Sequence, residues 1–310
     1  MTRGIALVLI GLSVCGVTAQ TDAIPWRTEP QQAVAEAQRT MRPLMVYVLA
    51  SNKDRDNNIE REHKRAFADP RVLRQAQNFI PLRLSRSVHR DVLKDFGLSE
   101  SANMQMSFVA PDGQVLGDLS AGGVGQPDSL ATKLAAAFDA YRRKLYDERV
   151  KPALTATDAK PADINAALQM ALEFRLAAAE ADVIALLDQP RLDAAGRSTA
   201  YDLLAALSGD AAVDKLIELT RAGDTRAAAA LEKCAPPAAE RIFAQLNAET
   251  EPFEYPLYKA VTKICGIRNV KVARYFEKAK PRLKQQELER VGKLVEQAVQ
   301  RWKEENDAAR

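Results

Sequence analysis

Cysteine is scarce in this 310-residue chain, which holds only Cys15, Cys234 and Cys265. That excludes a disulfide-stapled scaffold, a cysteine-rich zinc module and a CxxC redox centre. Histidine is scarcer, with His63 and His89 alone and no HxxxH or HExxH spacing. Nothing here implies a metal site. Charge of one sign is lacking too: 44 Lys and Arg against 41 Asp and Glu leave +3. So small an excess supplies no bulk field for nucleic acid, which is not an expected partner. The glycine cluster Gly122, Gly123 and Gly125 has neither GxGxxG spacing nor the Lys-Ser/Thr of a phosphate loop. It reads as a flexible connection, and no cofactor is implied.

What is present is globular, with 47% hydrophobic and 27% charged residues over a length suited to about two domains. The N-terminus reads as an address. One positive charge, Arg3, precedes the apolar run 4–14, and Val17, Thr18 and Ala19 supply small residues before Gln20. This is the pattern of a signal peptide over residues 1–19, cleaved after Ala19. The run is short for a membrane anchor. Lipid attachment at Cys15 is the other reading, disfavoured by the bulky Val14 beside it. The expectation is an exported protein, periplasmic or extracellular.

Two grammars follow. Across residues 24–149 helical and strand patterns alternate. Residues 29–41 read as a helix, 44–49 as an apolar strand buried on both faces, 58–67 and 69–77 as helices, and 79–84 as a second strand. A helix around Val88, Val92 and Phe96 is closed by Gly97. Two strands, 106–110 and 114–119, flank the turn residues Asp112 and Gly113, and a long helix spans 127–149. Residues 150–161, with Pro152 and Pro161, read as the linker. From 162 to 310 every periodic segment is helical.

Several local marks of the first part resemble one family. Trp26 precedes an alanine-rich helix, Arg42-Pro43-Leu44 opens the first core strand, and Phe67-Ala68-Asp69-Pro70-Arg71-Val72 starts a helix. Phe79-Ile80-Pro81 and Phe108-Val109-Ala110-Pro111-Asp112-Gly113 follow in order. Together they resemble the exported thioredoxin-like domains, over residues 24–148. The resemblance implies an α/β thioredoxin-like sandwich, and two departures from the family bear on function. Where a redox member carries CxxC at the start of the helix after the first strand, counting forward from the strand gives Lys53, Asp54, Arg55 and Asp56 and counting back from Phe67 gives Asp56 to Ile59, neither with a cysteine. The thiolate nucleophile such a helix start would activate is missing. The family's cis-proline falls near Met104, where there is no proline and a trans peptide is expected.

The remaining candidates are weaker. Asp56 or Asn57 reads as the cap of the helix that follows. His63 sits on an apolar stripe and reads as a packed core-edge residue, while His89 has no nucleophile and carboxylate around it. Arg71, Arg74, Arg83, Arg86 and Arg90 come with no acidic residue between Pro70 and Arg90. They offer a possible peripheral membrane contact, although a solvated face is the plainer reading. The helices after 162 repeat apolar patches at a spacing near thirty, among them Val183/Leu186/Leu187, Leu216/Ile217/Leu219, Ile242/Phe243/Leu246 and Val272/Tyr275/Phe276. They look like a HEAT-type solenoid, with a compact bundle as the alternative. Cys234 and Cys265 fall at apolar positions and read as buried free thiols.

The sequence therefore leads to an exported, non-enzymatic binding or assembly module for a protein or peptide partner. No catalytic residue is assigned. The expected contact edge is Lys53, Asp54, Arg55 and Asp56 with Met104, Gln105 and Met106. The alternative is a thiol-disulfide oxidoreductase or isomerase of the cell envelope working through Cys234 or Cys265.

Overall fold

A computed structural model of the chain describes residues 23–49, 53–98 and 105–307, with the backbone alone for 53–58 and 307. Residues 1–19, Cys15 and Met104 lie outside the described residues. The chain divides into two compact units, one through Ala135 and one from Ala136, ahead of the 150–161 segment read as the linker.

The first unit carries a mixed four-stranded sheet. Its elements are α1 (Pro30–Thr40), β1 (Leu44–Leu49), α2 (Lys53–Phe67), α3 (Pro70–Ala76), β2 (Ile80–Ser85), α4 (Arg90–Asp95), β3 (Gln105–Val109), β4 (Val115–Leu119), α5 (Ala121–Val124) and the start of α6 (Pro127–Leu145). Strand order is β2-β1-β3-β4. β1 runs parallel to β2 and antiparallel to β3, with Val46 facing Leu82 on one side and Ser107 on the other. β3 and β4 are antiparallel and joined by a turn in which Gly113 takes φ 90°, a left-handed conformation that suits glycine.

Alternation along β1 sends successive side chains to opposite faces. Leu44, Val46 and Val48 pack with Leu82, Leu84 and Val109 against Ala33 and Ala37 of α1 and Leu93 of α4. Tyr47 points the other way, into aromatic contact with Trp26 and with Phe67 of α2. α1 starts at Pro30, where the missing N–H costs nothing, and ends at Met41 with φ 52°. α3 is capped by Asp69, whose carboxylate accepts the Arg71 N–H.

Two local expectations change. α2 begins at Lys53, five residues before the helix read from the sequence, so Asp56 and Asn57 lie within it and do not cap it. The glycine stretch after β4 is the helical turn α5, not a loose connection.

The second unit is all helical. A π-helical turn, Tyr146–Val150, continues α6 into α7 (Lys151–Thr155). Then come α8 (Pro161–Glu173), a 3₁₀ turn Ala177–Ala179, α9 (Glu180–Leu187), α10 (Ala194–Leu207), α11 (Asp210–Arg221) and α12 (Thr225–Leu231). The last are α13 (Pro236–Phe243), α14 (Tyr255–Ile264), α15 (Ala273–Lys278) and α16 (Pro281–Asp307). Contacts sort most of them into two rows: α8, α10, α12 and α14 pack successively in one, and α9, α11, α13 and α16 in the other.

Charged rungs tie each row along its length. Lys215 of α11 reaches back to Asp188 after α9 at 2.7 Å, and Arg241 of α13 reaches back to Asp214 of α11 at 2.6 Å. In the other row Lys233 pairs with Asp202, and Lys259 with Glu232, both at 2.7 Å. Two tyrosines bind neighbouring helices from inside: Tyr201 Oη donates to Asp224 at 2.7 Å within one row, and Tyr258 Oη of α14 donates to Glu287 of α16 at 2.6 Å between the rows.

Val272 departs from its sequence reading. Although spaced as a core residue with Tyr275 and Phe276, it is 63% exposed, because α15 begins only at Ala273.

Candidate functional site

Register places the expected contact edge at one end of the sheet. Val48, near the end of β1, faces Gln105, the first residue of β3, and α2 begins four residues after Leu49. Lys53, Asp54, Arg55 and Asp56 form the first turn of α2. Gln105 is half-buried, whereas Met106 is fully buried, opposite Tyr47 and Leu119.

The best-defined polar geometry lies deeper, on the α2 face of the sheet. His63 is 1% exposed, with Nε2 at 2.7 Å from the Ala121 carbonyl and Nδ1 at 2.8 Å from Tyr47 Oη. A carbonyl only accepts, so Nε2 carries the proton and Nδ1 accepts from the tyrosine. Burial holds the imidazole's pKa below its ordinary 6.5, against the opposing pull of the Ala121 carbonyl, Glu62 and Glu60. The ring is thus neutral with both nitrogens engaged. It has no lone pair left for a metal or a proton transfer, and it pins α2 to α5. Tyr47 and Phe67 lie against it at ring-centroid distances of 5.6 and 6.3 Å, and Trp26 packs on both of them at 5.5 and 5.2 Å.

Beside this cluster opens a cleft of about 190 Å³, walled by Trp26, Tyr47 and Phe67 and rimmed by Glu60, Lys64 and Arg83. Glu60 bridges the two cations, at 2.7 Å to Arg83 and 3.4 Å to Lys64. A second cleft of about 450 Å³ lies against Ile24, Arg27, Arg42, Leu73 and Phe79.

The five arginines of the 70–90 stretch are spread over α3, β2 and the start of α4. Arg71 holds Asp69 at 2.9 Å and also Asp128, and Arg83 holds Glu60, while Arg74 and Arg90 are exposed. Arg86 is half-buried, its N–H bonded to the Leu49 carbonyl.

Both described cysteines are free. Cys234 is buried as expected, but Cys265, at the C-terminal cap of α14, is partly exposed. Burial pushes each thiol up to about 11. At neutral pH the thiolate is about one part in ten thousand, far from the activated state of a catalytic cysteine. Among the described residues no three of His, Cys, Asp and Glu converge as metal ligands. No family model matches the chain, and no curated protein is significantly similar to it.

The sequence reading passed over a second run of positive charge. Between Ile267 and Leu283 stand six cations, Arg268, Lys271, Arg274, Lys278, Lys280 and Arg282, and one carboxylate, Glu277. Assigning Val272 to a buried stripe concealed it; a simple count of charge signs reveals it.

Proposed function

We propose that this is an exported, non-enzymatic binding or assembly module for a protein or peptide, built on a redox-inactive thioredoxin-like domain followed by HEAT-like repeats. One observation carries the reading. The sheet order β2-β1-β3-β4, with β3 antiparallel to the other three strands, is the order of the thioredoxin-like core, and the helix that follows its central strand opens on Lys53, Asp54, Arg55 and Asp56 where a redox relative has cysteines. Such a helix start offers a polar edge at the end of the central strand, the contact edge this reading assigns together with Gln105. The two-row stacking and the back-reaching rungs favour HEAT-like repeats over a compact bundle, since each unit leans on its neighbours.

A thiol-disulfide enzyme is the second reading, and the protonated state of Cys234 and Cys265 weighs against it. Insulin-disulfide reduction separates the two. The expected rate is background; turnover that disappears in a Cys234→Ser, Cys265→Ser variant overturns the proposal. Affinity capture from the envelope fraction tests the edge: replacing Lys53, Asp54, Arg55 and Asp56 by alanine is expected to release the partner. Retention of every captured protein removes that edge from the proposal.

A further inference from the structure

Exposed large apolar side chains are few among the described residues: Val88, Val115, Val270, Val272 and Leu283. Three of the five fall within fourteen residues of the helical unit, at 39%, 63% and 45% exposure for Val270, Val272 and Leu283. The same stretch holds five cations, Lys271, Arg274, Lys278, Lys280 and Arg282, with Arg268 just before it, every one exposed. Elsewhere in this unit Lys215, Arg221, Lys233, Arg241 and Lys259 are held by carboxylates, while Lys263, Lys293, Arg301 and Lys303 are exposed without an ion pair among the described residues but are not clustered with exposed apolar side chains. Arg268, Arg274, Lys278, Lys280 and Arg282 have no recorded carboxylate partner among the described residues, and Lys271 lies over the Tyr275 ring at 5.1 Å.

The loop is also held in place from within. Buried Tyr258 accepts the Lys271 N–H at 3.1 Å while donating to Glu287, and Arg290 donates to the Asn269 carbonyl at 3.3 Å. Gly266 and Asn269 turn the chain with φ 61° and 56°. Tyr275 Oη donates to the Leu283 carbonyl at 3.2 Å, which brings the start of α16 beside α15. Below them Phe253 stacks on Phe276 with centroids 4.1 Å apart. The backbone is thus fixed while Val270 and Val272 are held out in water, an arrangement with no folding benefit of its own.

We propose that residues 267–283 form a contact surface for an anionic lipid bilayer. Its composition decides between partners. Protein interfaces bury aromatic and arginine anchors and are depleted in lysine at their centre. Here exposed valines and a leucine are interspersed with lysines and arginines, as in segments that wedge into the headgroup boundary while long cationic side chains reach lipid phosphates. The assignment is independent of the thioredoxin-like reading.

Vesicle sedimentation tests it, using the chain from Gln20 so that the apolar 4–14 run cannot itself insert. Wild type is expected to bind phosphatidylglycerol vesicles, to ignore phosphatidylcholine vesicles and to be released by high salt. At about fivefold in partitioning per cation, the combined Arg274→Gln, Lys278→Gln, Lys280→Gln and Arg282→Gln variant is expected to lose at least 100-fold. Val270→Ser with Val272→Ser is expected to weaken binding several-fold and keep its salt dependence. Arg74→Gln with Arg90→Gln is expected to change nothing. Equal binding to both vesicle types, or full binding by the four-residue variant, overturns the proposal. So does retention on immobilised polyglutamate without any vesicle binding, which assigns the patch to an acidic protein instead.

Discussion

In the sheet-bearing unit the buried polar contacts converge on one point, the imidazole of His63 between Tyr47 and Ala121. In the helical unit they are spread out, as rungs each joining one helix to a neighbour, along a row or, for Tyr258 and Glu287, between the two rows. A convergent arrangement makes the parts of a unit depend on one another, because β1, α2 and α5 lose a shared partner together. A distributed one confines damage to the helices adjoining the broken rung.

Breaking the aromatic cluster tests the convergent side most severely. Phe67→Ala removes a buried ring in contact with Trp26, Tyr47 and His63 and is expected to cost about 3–5 kcal/mol in denaturant unfolding, with amide protection lost across β1, α2 and α5 together. Loss confined to α2 alone contradicts the comparison. His63→Leu removes the hydrogen bonds to the Tyr47 hydroxyl and the Ala121 carbonyl and is expected to cost about 2–4 kcal/mol. It also carries a pH signature. With its pKa depressed in the folded state, the histidine contributes fully above 6.5. As pH falls below that value the unfolded chain takes up a proton that the folded chain refuses, so wild-type stability declines toward the folded pKa. The leucine variant is expected to lack that component.

On the distributed side, Tyr258→Phe removes the bonds to Glu287 and Lys271 N–H and is expected to cost about 1–3 kcal/mol. Hydrogen exchange is expected to rise in α14–α16 and stay unchanged in α8–α10; a rise throughout the unit contradicts the rung picture. Arg241→Ala breaks an exposed rung and is expected to leave the denaturation midpoint unmoved, within scatter, at physiological salt. A loss as large as that of Tyr258→Phe shows that the exposed rungs hold the rows together.

Legibility in the sequence followed the range of the forces involved. The apolar run Leu44–Leu49 announced a strand covered on both faces, and Asp112-Gly113 its hairpin, because hydrophobic patterning and turn chemistry act over a few residues. The early start of α2 was hidden because 53–58 is entirely polar and has no periodicity to read. α5 was hidden because a hydrogen bond from His63, 58 residues earlier, holds a glycine-rich turn helical. The rungs were illegible as pairs: their partners stand 23–31 residues apart, and only stacking selects which acid meets which base. At the candidate edge, the missing cysteines were plain in the sequence, while the burial of Met106 followed from the register of β3 with β1 and β4.

The back-reaching rungs bear on how the helical unit tolerates changes in its length. Asp188 pairs with Lys215, Asp214 with Arg241 and Asp202 with Lys233, each across a single boundary. Because each rung spans one boundary, a change of length at one boundary disturbs the rungs there and leaves the partners of the others in place.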